Sequence, residues 1–269
     1  MDLNFTKMNG AGNDFVLLDN RDQSLNLSRD QIARLCDRHR GVGADGLLVV
    51  EPAGEADFRM RCYNSDGGEA EMCGNGARCF ARFAARLLPA HPGVLSFETP
   101  AGIIMARFGE STVTINMSAP RDLRPPIPLT IAGSTLTVHS LNTGVPHAVA
   151  FVEDVASIDV RVLGAALRSH ETFAPKGTNA NFAQKLPDGS LALRTYERGV
   201  EDETLACGTG VCAAALIHHL QDGATSPVAV HVKGGETLEV AFARTEDGHF
   251  SEVTLTGPAD FVFDGIYPL

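Results

Sequence analysis

The chain has 269 residues, enough for one large domain or two of ordinary size, and its 44% hydrophobic and 20% charged content suits a folded globular protein. A net charge of −11 argues against nucleic acid or an anionic membrane as partner, because both need basic patches. No apolar run reaches the length of a membrane span, the start MDLNFTKMNG lacks the pattern of a secretory signal, and six cysteines are too sparse for a disulfide scaffold, so a reducing cytoplasm is expected.

In chain order, strands are expected near 3–8 and 14–18. A helix follows over 28–39, opened by a capping box in Ser28 and Gln31, with Ile32, Leu35, Cys36 and His39 along its apolar side. GVGADG, residues 41–46, matches G-x-G-x-x-G letter for letter. It is rejected as a dinucleotide site, because a helix precedes it and an apolar strand, LLVVE, follows. Strands near 47–51 and 58–63 lead to EMCGNGARC, where Cys73 opens a helix with Ala77, Phe80, Ala81, Ala84 and Leu88 on its apolar face. Three strand-like runs then end near Met117. The proline-rich SAPRDLRPPIP, residues 118–128, reads as a linker.

The second half repeats the plan. Strands near 135–152, a helix near 160–170 and strands near 180–184 and 191–197 lead to TLACGTGVC. There Cys207 opens a helix with Val211, Ala214, Ala215 and His218 at the offsets seen after Cys73. Leu163, Ala166, Leu167 and His170 echo the first helix, His39 and His170 being read as packing or helix C-terminal residues. The two Cys-Gly motifs stand half a chain length apart, which points to a duplication. The expected fold class is α/β (α+β), with two pseudo-symmetric domains, each a curved, mostly antiparallel sheet around a central Cys-bearing helix. Residues 1–117 form the first and 118–260 the second, with 261–269 returning to the first.

The first turn of a helix exposes unpaired N–H groups and partial positive charge, which cradle anions and lower a thiol's pKa. Gly74–Asn75 and Gly208–Thr209 are therefore candidate carboxylate cradles. Two such thiols suggest an acid/base pair working on a free amino acid held between them. One removes the α-proton and the other delivers one, while the helix N-termini stabilise the charge moving onto the carboxylate. This scheme needs no cofactor. Cys36, Cys62, Cys79 and Cys212 read as buried packing residues, and the cysteine spacing does not suit zinc, so no metal is expected.

MNGAGNDF (8–15), DRHRGVGADG (37–46), YNSDGGEAEMCGNGARCFARF (63–83), YERGVEDETLACGTG (196–210) and the terminal DGIYPL resemble diaminopimelate epimerases over essentially the whole chain. Related proline racemases usually carry histidine at the position of Asn75. The resemblance implies interconversion of LL- and meso-diaminopimelate, with Cys73 and Cys207 as acid and base. It places Asn13, Asn64, Gly74, Asn75, Asn179, Glu197, Arg198, Gly208 and Thr209 at substrate-binding positions, and His147 and Glu197 beside the thiols. From the residues alone, His147 reads as a core histidine and Glu197–Arg198 as a surface ion pair. Glu197 and Arg198 stand nine to ten residues before Cys207, much as Asn64 stands nine before Cys73, which favours a shared pocket. Val145 departs from the asparagine many members carry, and Gly46 from the glutamine of some. Two alternatives stay open: a glutamate, histidine or proline racemase on the same scaffold, and a non-catalytic or redox-sensing module in which Cys73 and Cys207 form a disulfide. A small-molecule substrate and a homodimer are the expected partners.

Overall fold

The computed structural model describes residues 2–70 and 72–269; Glu71, within EMCGNGARC, lies outside them. The chain divides into two units, Met1–Asn116 with Thr256–Leu269, and Met117–Leu255.

Unit 1 begins with β1 (Asp2–Gly10) and β2 (Asn13–Asp19), an antiparallel hairpin. Helix α1 (Arg29–Cys36) then crosses to β3 (Gly46–Glu51), which pairs parallel with β2. The antiparallel β4 (Phe58–Asn64) and short β5 (Glu69–Ala70) lead to α2 (Gly74–Arg86). From there the chain returns in β6 (Val94–Thr99), parallel to β4, then β7 (Gly102–Phe108) and β8 (Thr112–Asn116). The capping box at α1 is present: Ser28 Oγ accepts from Gln31 N at 3.3 Å, and Gln31 Oε1 accepts from Ser28 N at 2.9 Å. The helix stops at Cys36, short of the expected 39. The Asp37 carboxylate accepts from the N–H groups of His39 and Arg40 (2.8 and 3.0 Å), which turns the chain. Val42, Gly43 and Ala44 then donate to the last helix carbonyls, Leu35 O and Cys36 O. GVGADG is thus a wrapping that satisfies a helix end. His39 lies beyond the helix and is exposed.

Unit 2 opens with β9 (Arg121–Ile131), β10 (Ser134–Asn142) and β11 (Pro146–Phe151). The segment expected to be a linker therefore belongs mostly to a strand. It pairs antiparallel with β10, with register shifts around Arg124 to Ile127, where Pro125 and Pro126 have no N–H to give. Leu129 and Ile131, at its far end, are buried with α3-side residues of the core, and that burial holds the strand in place. Helix α3 (Val160–Arg168) crosses to the parallel β12 (Asn179–Lys185), followed by β13 (Leu191–Glu197) and β14 (Asp202–Thr204). His170 falls past α3 and caps a single 3-10 turn, accepting from Thr172 N at 3.3 Å. Helix α4 (Gly208–Asp222) then crosses to β15 (Val228–Val232), parallel to β13 and paired with β16 (Thr237–Arg244). The unit boundary falls inside β17 (Phe250–Pro258), and β18 (Asp260–Pro268) pairs antiparallel with β1 in unit 1.

The two units share one topology. The run β1 to β8 around α1 and α2 corresponds to β10 to β17 around α3 and α4, and β18 stands beside β1 as β9 stands beside β10. Each sheet has a helix on both sides. α1 covers a cluster of Val16, Leu18, Leu35, Leu47 and Val49, and α3 covers one of Val138, Ala148, Ala150, Leu167 and Phe182. α2 and α4 pack inside the curve of each sheet, α2 against strands from β1 to β8 and α4 against strands from β10 to β16. These two helices are buried on all sides, not on one face as expected. Phe83, Cys79, Cys212, Leu216 and Ile217 are buried along with Ala77, Phe80, Ala81, Ala84, Val211, Ala214 and Ala215. Small side chains let strands approach a helix this closely. Ala81→Leu and Ala214→Leu, at positions with 0% exposure, are each expected to lower unfolding free energy by about 1–3 kcal/mol in chemical denaturation. Unchanged midpoints would mean the central helices have room to spare.

Candidate active site

Both cysteines are the N-cap residues of the central helices. Cys73 has φ −137 and ψ 118, Cys207 φ −115 and ψ 103, so each leaves an extended segment as its helix begins. The first helical bonds are Ala77 N to Cys73 O at 2.7 Å and Val211 N to Cys207 O at 2.9 Å. Neither cysteine side chain caps its helix, and neither first turn contains an acidic residue. The positive end of each helix macrodipole is therefore not neutralised from within its own first turn.

In unit 1, Cys73 is half-buried and its thiol donates to Asn13 Oδ1 at 3.6 Å. Asn13 sits at the start of β2, and its amide is oriented by donation to Asp45 Oδ2 at 2.6 Å. Asp45 and Asp14 are clamped by Arg38, at 2.8 and 2.7 Å, and Lys7 pairs with Asp14 at 2.7 Å. Burial alone would raise Asp14, but its hydrogen bonds to Arg38 and Lys7 outweigh that and hold the carboxyl well below the usual range. Asn75 is buried, and its Oδ1 accepts from Arg78 Nη2 at 2.9 Å. Arg78 has 0% exposure and also reaches Gly74 O and Pro258 O, each at 3.3 Å. Gly10 allows β1 to pass this helix start, since a Cβ there would lie 2.9 Å from both Asn75 O and Cys79 Sγ. Asn64, at the end of β4, is exposed and closes a turn with Gly68 through a 2.8 Å bond from its N–H. Gly46, opposite Asn64, has Tyr63 O where a side chain would begin.

In unit 2, Cys207 is 6% exposed and lies 3.6 Å from Thr209 Oγ1. Glu197 hydrogen-bonds the same thiol and accepts from Thr204 Oγ1 at 2.6 Å; burial pushes its carboxyl above the usual range despite both bonds. His147 Nε2 lies 2.9 Å from Thr209 Oγ1. Asn179 is buried and accepts from the backbone N–H of Arg198 at 2.8 Å, while the Arg198 guanidinium reaches Lys176 O. The Thr209 carbonyl, next to Gly208, accepts from Thr143 Oγ1 at 2.8 Å. Val145 is half-buried in the turn before β11. Unit 2 therefore gathers Cys207, Thr209, His147 and Glu197 in direct contact, and unit 1 gathers Cys73, Asn13, Gly74 and Asn75. Of the supporting residues, Asp45, Arg78 and Thr204 lie within the quoted stretches but have no role assigned there, and Thr143, Asn181 and Thr195 lie outside them. Strand register places Asn181 and Thr195, while Arg78 reaches Asn75 from the next turn of α2.

The other thiols contrast with these. Cys36 and Cys79 are buried, and burial pushes them up to about 11 and about 12; Cys62 is raised further still by the same cause. They carry no nucleophilic thiolate near neutral pH.

The family model described as diaminopimelate epimerase matches residues 5–121 and 139–262. The diaminopimelate epimerase of Aquifex aeolicus is 42% identical over an alignment 279 positions long, covering 98% of this chain and 97% of its own. That of Aromatoleum aromaticum is 43% identical, covering 98% of both. The chain belongs to the diaminopimelate epimerase family. Among solved structures, a phenazine biosynthesis protein of the PhzF family from Bacillus anthracis aligns over 100% of both chains with a TM-score of 0.76 at 16% identity. A hydroxyproline epimerase from Agrobacterium vitis aligns over 99% of this chain and 91% of its own, with a TM-score of 0.68 at 17% identity. At such identities the likeness is one of fold.

Strand register corrects one correspondence within this family member. Leu47 faces Tyr63 across β3 and β4, and Ala180 faces Tyr196 across β12 and β13. The residue matching Asn64 is therefore Glu197, not Arg198, because the turn after Glu197 is one residue longer. Equal spacing before the cysteines hid this insertion.

Burial, reinforced by the charge of Arg198, pushes His147 down to about 3. An unfolded histidine titrates near 6.5, so below that pH the unfolded chain takes up a proton that native His147 refuses. Its contribution to stability is full above about pH 6.5 and is lost as pH falls toward 3, by up to about 1.4 kcal/mol per pH unit. Between pH 6.5 and 4, the unfolding free energy of His147→Gln is expected to fall less steeply than that of the wild type in urea titrations. Parallel curves would show that native His147 takes up the proton as readily as the unfolded chain.

Proposed function

We propose that this protein interconverts LL- and meso-2,6-diaminopimelate by a 1,1-proton transfer between Cys73 and Cys207, without a cofactor, in the formation of lysine and of cell-wall precursor. The observation that carries the reading is the placement of both cysteines at the N-caps of duplicated central helices, in a chain of this family. Inversion needs a base on one face of the α-carbon and an acid on the other. One thiolate takes the α-proton and the other thiol returns one, so the acid of one direction is the base of the reverse. Charge developing on the substrate carboxylate falls to the N–H groups of the helix starts at Gly74–Asn75 and Gly208–Thr209, supported by Asn13, Asn64, Asn179 and Arg198. His147 and Glu197 support the thiol chemistry. In D2O, deuterium is expected at the inverted α-carbon of diaminopimelate, and Cys73→Ala and Cys207→Ala are each expected to lower turnover by at least about 100-fold. Wild-type turnover in either variant would exclude the two-base scheme.

Val145 supports a second reading, a racemase of a related amino acid such as glutamate, because valine offers no side-chain hydrogen bond at that turn. A glutamate turnover number exceeding that for diaminopimelate would establish it.

The working form is a cytoplasmic homodimer. The support is the run of exposed apolar residues on β18, where Val262 is 55%, Phe263 49% and Ile266 66% exposed. No helix among the described residues is long and apolar enough to cross a membrane. Sedimentation is expected to give a dimer for the wild type and a monomer for Ile266→Glu; a wild-type monomer would refute the dimer.

A further inference from the structure

The two units solve the same packing problem with different chemistry. Phe15 pairs with Gly46 across β2 and β3, and His147 with Asn179 across β11 and β12, so His147 occupies the slot of Phe15. By the same registers Asn181 occupies the slot of Leu48, and Thr195 that of Cys62. All six side chains are buried, with exposures of 5% or less. Unit 1 fills these slots with apolar groups and makes the same fold. The polar set in unit 2 is therefore not required for folding, and burying it costs free energy unless every member is hydrogen-bonded.

Each member is bonded, and the bonds have a direction. The Asn181 amide nitrogen lies 3.0 Å from both Ala148 O and His147 Nδ1. A backbone carbonyl can only accept, so this end of the amide is its NH2 group. Its other end, Oδ1, accepts from Thr195 Oγ1 at 3.0 Å. Facing a donor, Nδ1 of the neutral imidazole keeps its lone pair, and the ring proton resides on Nε2. That proton is donated to Thr209 Oγ1 at 2.9 Å. The hydroxyl's own proton is then directed away from His147, and Cys207 Sγ lies 3.6 Å away. Space for the arrangement comes from Gly210, where a Cβ would lie 2.3 Å from Asn181 Oδ1; the corresponding Gly76 packs over Leu48 and Phe15. The second glycine of CGTG thus lets Asn181 lie beneath the first turn of α4.

We propose that Asn181 is a positioning residue that holds His147 as its Nε2–H tautomer, so that the Thr209 hydroxyl is left to donate to the Cys207 sulfur. The donor stabilises the thiolate of Cys207, whereas the thiol of Cys73 donates to an acceptor, Asn13 Oδ1. The charged groups around this relay are Glu197, on the thiol, and Arg198, toward His147. The inference deepens the two-cysteine reading and rests on it for its catalytic meaning, but the relay can be read without substrate.

Nitrogen-15 spectra of histidine-labelled full-length protein, with His147 assigned through His147→Gln, are expected to show a pyridine-like Nδ1 and a pyrrole-like Nε2. Asn181→Asp, which presents an acceptor, is expected to invert that pattern. In the Cys73→Ala background, iodoacetamide alkylation of Cys207 is followed against pH by peptide mass spectrometry. Asn181→Leu, which installs the residue of unit 1, is expected to raise the midpoint by about one pH unit, a roughly tenfold slower reaction below both midpoints. Thr209→Val should match it, and Thr209→Ser should keep the original midpoint. A proton on Nδ1 in the wild type, or an unchanged midpoint in folded Asn181→Leu, overturns the proposal. The wild-type spectrum decides if neither Asn181 variant folds. Failure of α-proton exchange in the wild type would instead overturn the epimerase reading and leave the tautomer result standing.

Discussion

A thiol at the N-cap of a helix that is buried on every side is the constraint on which both halves of this protein depend. A helix start needs partners for its first N–H groups, and most proteins supply them from a serine, threonine or aspartate side chain. Here the N-cap residue is cysteine, which is a poor capping group, and the first turns are glycine-rich and without acids. The sheet surrounds the helix and holds it at fixed depth, so burial fixes a helix start that its cysteine side chain does not cap. The buried length of each helix carries alanine beside larger apolar side chains, and its N-terminus bears the partial positive charge of the macrodipole.

Duplication supplied two such tips, and divergence then made them unequal. Around Cys73, a charged clamp of Lys7, Arg38, Asp14 and Asp45 turns an asparagine carbonyl toward the thiol. Around Cys207, a carboxylate, a hydroxyl and a neutral histidine meet the sulfur or its neighbour. The scaffold tolerates this because the same buried slots accept either phenylalanine and leucine or histidine and asparagine, provided the polar pair is fully bonded. The proposed two-thiol reaction calls for two acid/base groups, but it does not require their surroundings to be identical.

Much of this was legible in the chain. The spacing of the Cys-Gly motifs, the repeated Ile32 and Leu163 patterns and the apolar run LLVVE follow from local periodicity, which a sequence records directly. The proline-rich segment was not legible. Pro125 and Pro126 argue against a strand, and only the burial of Leu129 and Ile131 against distant residues outweighs them. The all-round burial of the central helices was hidden too, because alanine is compatible with either a face or a core.

The sequence by itself determined the family, the duplication and the two thiols, since each is written in residue identity and spacing along the chain. Only the tertiary structure decided that Asn64 corresponds to Glu197, that Asp45 orients Asn13, and that Asn181 and Thr195 lie beneath Cys207's helix. The physical reason is hydrogen-bond register. A single inserted residue in a turn shifts every downstream spacing, whereas strand pairing fixes which side chains meet regardless of how far apart they stand in the chain.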